Sequence, residues 1–229
     1  MARTRMPKEL TLSIQAVGED GYGVAVYRKP ESTVERTVRV KNALPGEHVT
    51  ARMLKRRQGE WFGEAVHVNG ADESRSRRAA ACEFVPRCGG CAVQHMEYAA
   101  QLELKQAGLA AALAENEVEV ERFREPVLGP RFNYRTKARL GVRVVGEEVL
   151  VGFRESFGNR VGRMTACLTL TESLSALIEP LKTLIGSLSA PEWIPQVEVA
   201  AGDRDAALIL RHLEPLSTKD LELLGAFGT

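Results

Sequence analysis

The sequence lacks the segments that direct a protein to or through a membrane. Residues 1–8 (MARTRMPK) contain no apolar core of the kind found in secretory signals. No apolar run approaches the roughly 18 residues that a membrane-spanning helix requires. We therefore expect a cytoplasmic chain with no membrane partner.

A strong net charge is also lacking. The formal net charge is only +1, so composition alone does not indicate a nucleic-acid-binding protein. The charge is unevenly distributed, because residues 1–70 and 124–166 have a basic surplus and residues 167–229 have an acidic one. An ordinary solvated surface can produce such a pattern. Evidence for nucleic-acid binding must therefore come from the placement of individual basic residues.

Cysteine is scarce, with 4 in 229 residues. Cytosolic thiols stay reduced, so a cluster of them indicates metal binding or catalysis more than disulfides. Gly89 and Gly90 within the C-x5-C-G-G-C motif would let the backbone turn tightly and aim N–H groups at the sulfurs. Four thiolates suit either a zinc ion or a [4Fe–4S] cluster, and the spacing does not separate the two. The alternative is a zinc knuckle in which the last cysteine is an unrelated buried thiol. The four cysteines are Cys82, Cys88, Cys91 and Cys167.

Alternation of apolar and polar residues predicts short strands in the first third of the chain. Such spacing suggests a small closed barrel, followed by a linker at 70–81 that has no apolar periodicity. The five predicted strands lie at residues 10–16, 24–27, 37–40, 49–54 and 61–68.

The remaining two thirds mix helix and strand patterns, so the expected fold class is α+β. Pro180 implies a kink or a late start in one helix, and the spacing of Ser217 and Asp220 is that of a helix capping box. The predicted elements are a helix at 95–115, glycine-broken strands at 133–165, a helix at 174–188, a hairpin around Gly202 and Asp203, and a last helix after Ser217.

Residues 133–140 (NYRTKARL) alternate so that Arg135, Lys137 and Arg139 would share one strand face. Three cations on one face repel one another, which is easier to understand if that face meets phosphate. Charged faces are also common on solvated sheets, so this alternative stays open. The further candidates for RNA contact are Arg154, Arg160 and Arg163 in the next hairpin, and the run Lys55, Arg56 and Arg57.

The order of these motifs resembles a known family. Residues 17–26 (VGEDGYGVAV) and 40–49 (VKNALPGEHV) resemble a TRAM domain, an OB-like barrel found on RNA-modifying enzymes. The cysteine motif followed by Gln94 and His95, the pattern Y-x-x-Q-L-x-x-K at 98–105, and YRTKARL at 134–140 resemble the RlmD (RumA) type of RNA uridine-C5 methyltransferase. The resemblance covers nearly the whole chain.

The resemblance implies a five-stranded TRAM barrel at 1–69, a linker at 70–81 and an iron–sulfur, RNA-binding α/β central domain at 82–229. It also implies that the four cysteines bind a [4Fe–4S] cluster. The implied substrate is a uridine of 23S rRNA and the implied methyl donor is S-adenosylmethionine. We expect a monomer.

The catalytic part of such an enzyme is not expected in this sequence. Uracil C5 is a weak nucleophile, so the family's enzymes add a cysteine thiolate to C6, and a base later removes the C5 proton. If all four cysteines hold a metal, no thiolate remains for this step. A glycine-rich strand–turn–helix fingerprint for a nucleotide-like cofactor is also missing. We therefore expect no catalytic or S-adenosylmethionine-binding residues, no Rossmann-like methyltransferase domain, and an inactive fragment.

Two other interpretations remain at this stage. One is a stand-alone RNA-binding adaptor with a structural iron–sulfur or zinc site. The other is a zinc-stapled protein-interaction module without RNA affinity. Metal content and salt-sensitive RNA binding distinguish the three.

Overall fold

A computed structural model describes residues 5–30, 32–69 and 76–228. Contacts divide the chain into two units. The first consists of the described residues up to Ala81 together with Cys91–Pro126, and the second of Cys82–Gly90 together with the described residues from Val127 onwards. The domain boundaries expected from the sequence stay predictions. Of the predicted linker, residues 70–75 lie outside the described residues.

The first unit is built on one six-stranded sheet in the order β1-β5-β6-β4-β3-β2, in which only the β4–β6 pair is parallel. Val38, Val40, Val49 and Trp61 are fully buried on its inner side, as alternation predicts. Closure into an OB-like barrel stays a prediction. The strands are β1 (Glu9–Ser13), β2 (Ala16–Val17), β3 (Gly23–Arg28), β4 (Glu35–Lys41), β5 (His48–Arg57) and β6 (Glu60–Asn69).

The first predicted strand is divided into β1 and β2, so the sheet has six strands where the sequence predicts five. The chain changes partner at this point. The N–H of Ile14 donates to the Glu47 carbonyl at 2.9 Å, and the N–H of Gln15 donates to the Val24 carbonyl at 2.8 Å. Periodicity does not reveal such a switch, because both pieces keep the same alternation.

Helix α1 spans Tyr98–Glu115 and has no buried residue. The sequence predicts its start at residue 95, three residues too early. Residues 95–97 instead pair with residues 76–78, through a bridge between Arg77 and Met96 and a 2.9 Å bond from the Arg78 N–H to the His95 carbonyl. No helix in the described ranges is long and apolar enough to cross a membrane.

The second unit has a four-stranded antiparallel sheet in the order β10-β9-β7-β8. One face packs on helices and forms a core that includes Leu140, Val197, Ile178 and Ile185, all fully buried. The elements are β7 (Lys137–Val145), β8 (Glu148–Gly152), α2 (Glu172–Ala176), α3 (Ile178–Gly186), a 3-10 turn (Pro191–Trp193), β9 (Gln196–Ala201), β10 (Ala206–Arg211) and α4 (Thr218–Phe227). The chain is thus α+β, as predicted.

Three local predictions in this unit are confirmed. Pro180 is the third residue of α3, where its missing N–H costs no helical bond. The hairpin of β9 and β10 is present. Ser217 caps α4, since its hydroxyl accepts from the Asp220 N–H at 3.1 Å and the Asp220 carboxylate accepts from the Ser217 N–H at 3.0 Å.

Candidate metal centre and RNA-facing surface

Residues 82–90 of the cysteine motif form consecutive tight turns. The Val85 N–H donates to the Cys82 carbonyl at 3.3 Å, and the Cys88 N–H donates to the Phe84 carbonyl at 2.7 Å. These turns bury Cys88, which is 9% exposed, while Cys82 is half-buried.

This turn region pairs with the backbone of residues 154–156 in the second unit. The Gly89 N–H donates to the Arg154 carbonyl at 2.9 Å, and the Ser156 N–H donates to the Arg87 carbonyl at 3.1 Å. A Cβ atom on Gly89 would lie 3.0 Å from the Arg154 carbonyl oxygen. A side chain at Gly89 would therefore crowd the paired backbone, which glycine leaves free for close approach.

Gly90 contributes an N–H group to a sulfur, since its amide donates to Cys88 Sγ at 3.3 Å. Bonds of this kind orient and tune thiolate ligands in metal sites. The bond agrees with the role that the sequence assigns to the glycine pair.

Cys167 lies in the second unit before α2 and is 7% exposed. Its N–H donates to Ser175 Oγ at 2.9 Å, and its Sγ lies 3.2 Å from Thr169 Oγ1. Cys82 and Cys88 belong to this unit as well, whereas Cys91 is the first residue of the segment assigned to the first unit.

The four thiols are the right kind of ligand for a zinc or iron–sulfur centre, and the Gly90 bond suits one. However, in the part of the chain that the structure describes, no group of three or more His, Cys, Asp or Glu side chains is placed to hold a metal ion. The metal centre and its four ligands therefore stay a prediction.

The basic residues of β7 lie as predicted where the strand is formed. Lys137 and Arg139 are exposed, whereas Ala138 and Leu140, which alternate with them, are buried. Arg135 precedes the strand and is half-buried, and its backbone N–H donates to the Thr169 carbonyl at 2.8 Å.

The hairpin that carries the next three basic residues lies along the same sheet. Arg154 and Val161 form a backbone bridge. A Cβ atom on Gly141 of β7 would lie 3.9 Å from Arg154 Cγ. Since Gly141 follows Arg139 by two residues, Arg154 lies on the outer face that carries Lys137 and Arg139. Arg160 and Arg163 are exposed in the same hairpin.

Arg143 was missed by the sequence reasoning. It is exposed on β7 and continues the alternation of Lys137 and Arg139 past Gly141. Following the same period for two more steps beyond Arg139 would have found it. We call Lys137, Arg139, Arg143 and Arg154 the basic face.

Two carboxylates partly neutralise the positive charge of this region. Arg139 lies 3.2 Å from Glu198, and Arg163 pairs with Glu148. The Arg139 side chain is 67% exposed, and an ion pair in water is worth little, so its guanidinium stays available to another anion. A shallow cavity of about 540 Å³ adjoins Arg139, and its lining includes Gln196, Glu198, Ile209, Arg211 and His212.

The basic run of the first unit, Lys55, Arg56 and Arg57, forms the last three residues of β5. Arg56 and Arg57 are exposed, and the Lys55 ammonium lies 6.0 Å from the centre of the Phe62 ring. Gln58 and Gly59 both have positive φ, as a two-residue hairpin turn requires. The turn therefore presents the three cations at one end of the sheet.

No family model matches the chain. Curated relatives do match it along nearly its whole length. The chain is 38% identical to a protein of Hahella chejuensis over 230 residues, covering 99% of the chain and 50% of the relative. It is 40% identical to one of Nitrosococcus oceani over 220 residues, with coverages of 94% and 47%. A Bordetella pertussis protein is 40% identical over 192 residues, with coverages of 82% and 41%.

These relatives are RNA-modifying methyltransferases by name. Each of the three is called 23S rRNA (uracil(1939)-C(5))-methyltransferase RlmD. The chain thus matches the RlmD family, and the resemblance found in its motifs is confirmed. The chain spans about half the length of the curated relatives it matches.

Proposed function

We propose that this chain is the RNA-recognition and metal-binding part of a SAM-dependent 23S rRNA uracil-C5 methyltransferase. The observation that carries the proposal is the basic face, where Lys137, Arg139, Arg143 and Arg154 lie exposed on one side of a sheet whose other side is core. The relatives' names supply the kind of RNA.

A surface of this kind suits an RNA backbone. The guanidinium group donates in a planar fork that matches phosphate, and it stacks on unpaired bases. Gln196 and Ile209 of the adjoining cavity add an amide and an apolar surface beside Arg139. The run Lys55, Arg56 and Arg57 in the first unit supplies a second cationic contact for the same polymer.

Cys82, Cys88, Cys91 and Cys167 would hold a [4Fe–4S] cluster in this proposal. The cluster would fix the turns around Cys88 and Gly89, and through them the residues 154–156 that pair with these turns. Arg154 belongs to the basic face, so the metal's role would be structural. S-adenosylmethionine and a catalytic cysteine would be supplied by sequence beyond these residues, and this chain alone would transfer no methyl group.

The proposal is tested by RNA affinity as a function of salt. We expect Lys137→Ala, Arg143→Ala and Arg154→Ala each to weaken binding to a 23S rRNA fragment. The slope of log K against log salt is negative, and each lost phosphate contact should reduce its magnitude by about 0.7 to 0.9. Lys219→Ala is the matched control, because Lys219 is exposed on α4, which packs on the core side of the sheet.

Two results would contradict the proposal. One is a wild-type chain whose RNA binding is absent at low salt. The other is a loss of affinity in the Lys219→Ala control equal to that of the three variants.

A further inference from the structure

A buried ion pair in the first unit has no part in the function proposed above. The Glu47 side chain is fully buried and lies in the turn between β4 and β5. Its carboxylate accepts from the Leu44 N–H at 2.8 Å and from Arg77 Nη2 at 2.8 Å, and Arg77 Nε is a third donor. This two-nitrogen pairing is the strong geometry for arginine and carboxylate.

Arg77 is fixed in the same turn by two further contacts. Its Nη2 donates to the Asn42 carbonyl at 3.1 Å, and its Nη1 lies 3.4 Å from Asn42 Oδ1. The turn needs positive φ at Asn42 (61°) and at Gly46 (84°). The two oxygens of Asn42 thus help to hold the guanidinium group of Arg77 in this turn.

The segments on either side of the cysteine motif meet at this place. Arg77 bridges Met96, the Arg78 N–H donates to the His95 carbonyl at 2.9 Å, and the Glu97 N–H donates to the Ser76 carbonyl at 2.7 Å. Residues 78–95 thus form a loop closed at its base, and Cys82, Cys88 and Cys91 all lie within it.

The returning end of the loop is buried against the first sheet. His95 is 3% and Met96 4% exposed, and His95 forms a hydrogen bond with the Ala43 backbone. A Cβ atom on Gly21 would lie 2.7 Å from Ala92 Cβ and 2.8 Å from a Val93 methyl carbon. The other end of the loop, at Arg77, is held by the contacts of Arg77 with Asn42 and Glu47. Both ends are therefore anchored at the turn of residues 42–47.

We infer that Glu47 and Arg77, together with His95, position the cysteine motif by clamping the base of the 78–95 loop. They are positioning residues, since they act through the backbone of the loop and not through a metal. A loop with fixed ends samples fewer conformations, so its thiols need less ordering to reach a common metal. The inference rests on the metal centre proposed above.

The test uses hydrogen exchange of peptides from residues 76–97, measured on the full chain with and without reconstituted iron and sulfide. Arg77→Lys keeps a positive charge beside Glu47, so we expect the variant to fold. It loses the two-nitrogen pairing of the guanidinium group with the carboxylate. Arg78→Lys is the matched control, since Arg78 lies 4.0 Å from Glu97 and its side chain is 34% exposed. The double variant Glu47→Gln with Arg77→Met removes both charges and leaves neither buried alone.

For Arg77→Lys and for the double variant we expect exchange in residues 76–97 to be at least about tenfold faster, with the strands of the second unit unchanged. Loss of iron to a chelator should accelerate in the same variants and stay at the wild-type rate in Arg78→Lys. Wild-type exchange rates in both variants would overturn the inference, as would faster exchange without faster iron loss. A wild-type chain that takes up no metal would refute the proposed metal centre instead, and the exchange rates would then decide the clamp alone.

Discussion

The charge of His95 depends on the fold around it. Burial lowers the pKa of this histidine from 6.5 to about 4, and the positive charges of Arg77 and Lys41 act in the same direction. The Glu47 carboxylate and the bond to the Ala43 backbone oppose the shift. Nε2 of His95 has no hydrogen-bond partner among the described residues, so the neutral ring is the form that this environment accepts.

This shift makes stability depend on pH. The unfolded chain takes up a proton on His95 near pH 6.5, whereas the folded chain does so only near pH 4. Above pH 6.5 His95 is neutral in both states, so it does not change the free energy of unfolding with pH. Between pH 6.5 and 4 the unfolded state binds more protons, so the free energy of unfolding falls as the pH falls, by on the order of 3 kcal/mol in total.

Urea unfolding of the wild type and of His95→Gln between pH 7.5 and 4.5 measures this contribution. The variant should lose less stability over that range, because a glutamine cannot titrate, while the carboxylates contribute alike to both. Equal slopes in the two proteins would show that His95 is not buried in its neutral form.

At the level of elements, the turns of the cysteine motif depend on two adjacent glycines in unequal ways. A Cβ atom on Gly89 would meet backbone at 3.0 Å (Arg154 carbonyl) and 3.3 Å (Ser156 nitrogen). A Cβ atom on Gly90 would be 3.4 Å from Cys88 Sγ and 3.7 Å from the Phe153 ring, which are ordinary contact distances.

We therefore expect Gly89→Ala to lower the free energy of unfolding by about 1 to 3 kcal/mol, as overpacking does. Gly90→Ala should change it by less than about 0.5 kcal/mol. Denaturant unfolding of the metal-free chain measures both, so that metal affinity does not enter. If Gly90→Ala proves the more harmful, the pairing of Gly89 with Arg154 is not what holds this region.

Elements with local signals could be predicted from the sequence. The capping box of Ser217, the proline at the start of α3 and the β9–β10 hairpin each depend on residues a few positions apart. The start of α1 could not be predicted, because residues 95–97 are drawn into pairing with residues 76–78. The sequence predicts a linker at Arg77, because residues 70–81 have no apolar periodicity and the partner Glu47 lies 30 positions earlier.

Part of the candidate site could likewise be predicted from the sequence, and part could not. The shared face of Lys137 and Arg139 follows from strand alternation, so it was predictable. That Arg154 lies beside Gly141 on this face depends on how the next hairpin folds back, which alternation does not encode. That Cys167 joins the other three cysteines stays a prediction, because it follows Cys91 by 76 positions and no local pattern connects them.

At the scale of the whole chain, a family match, a basic surface and a cysteine motif occur together. The match covers nearly all of the chain but about half of each relative. The function proposed here is therefore that of a part, which recognises RNA and holds a metal.

The proposed metal centre is tested first by the iron and acid-labile sulfide content of the anaerobically purified chain, together with its visible absorption. We predict a brown protein with about four irons per chain, and loss of both iron and colour in Cys88→Ser. A Lys219→Ala control should keep the full content. A colourless chain that holds one zinc ion, or iron that survives in Cys88→Ser, would contradict the account.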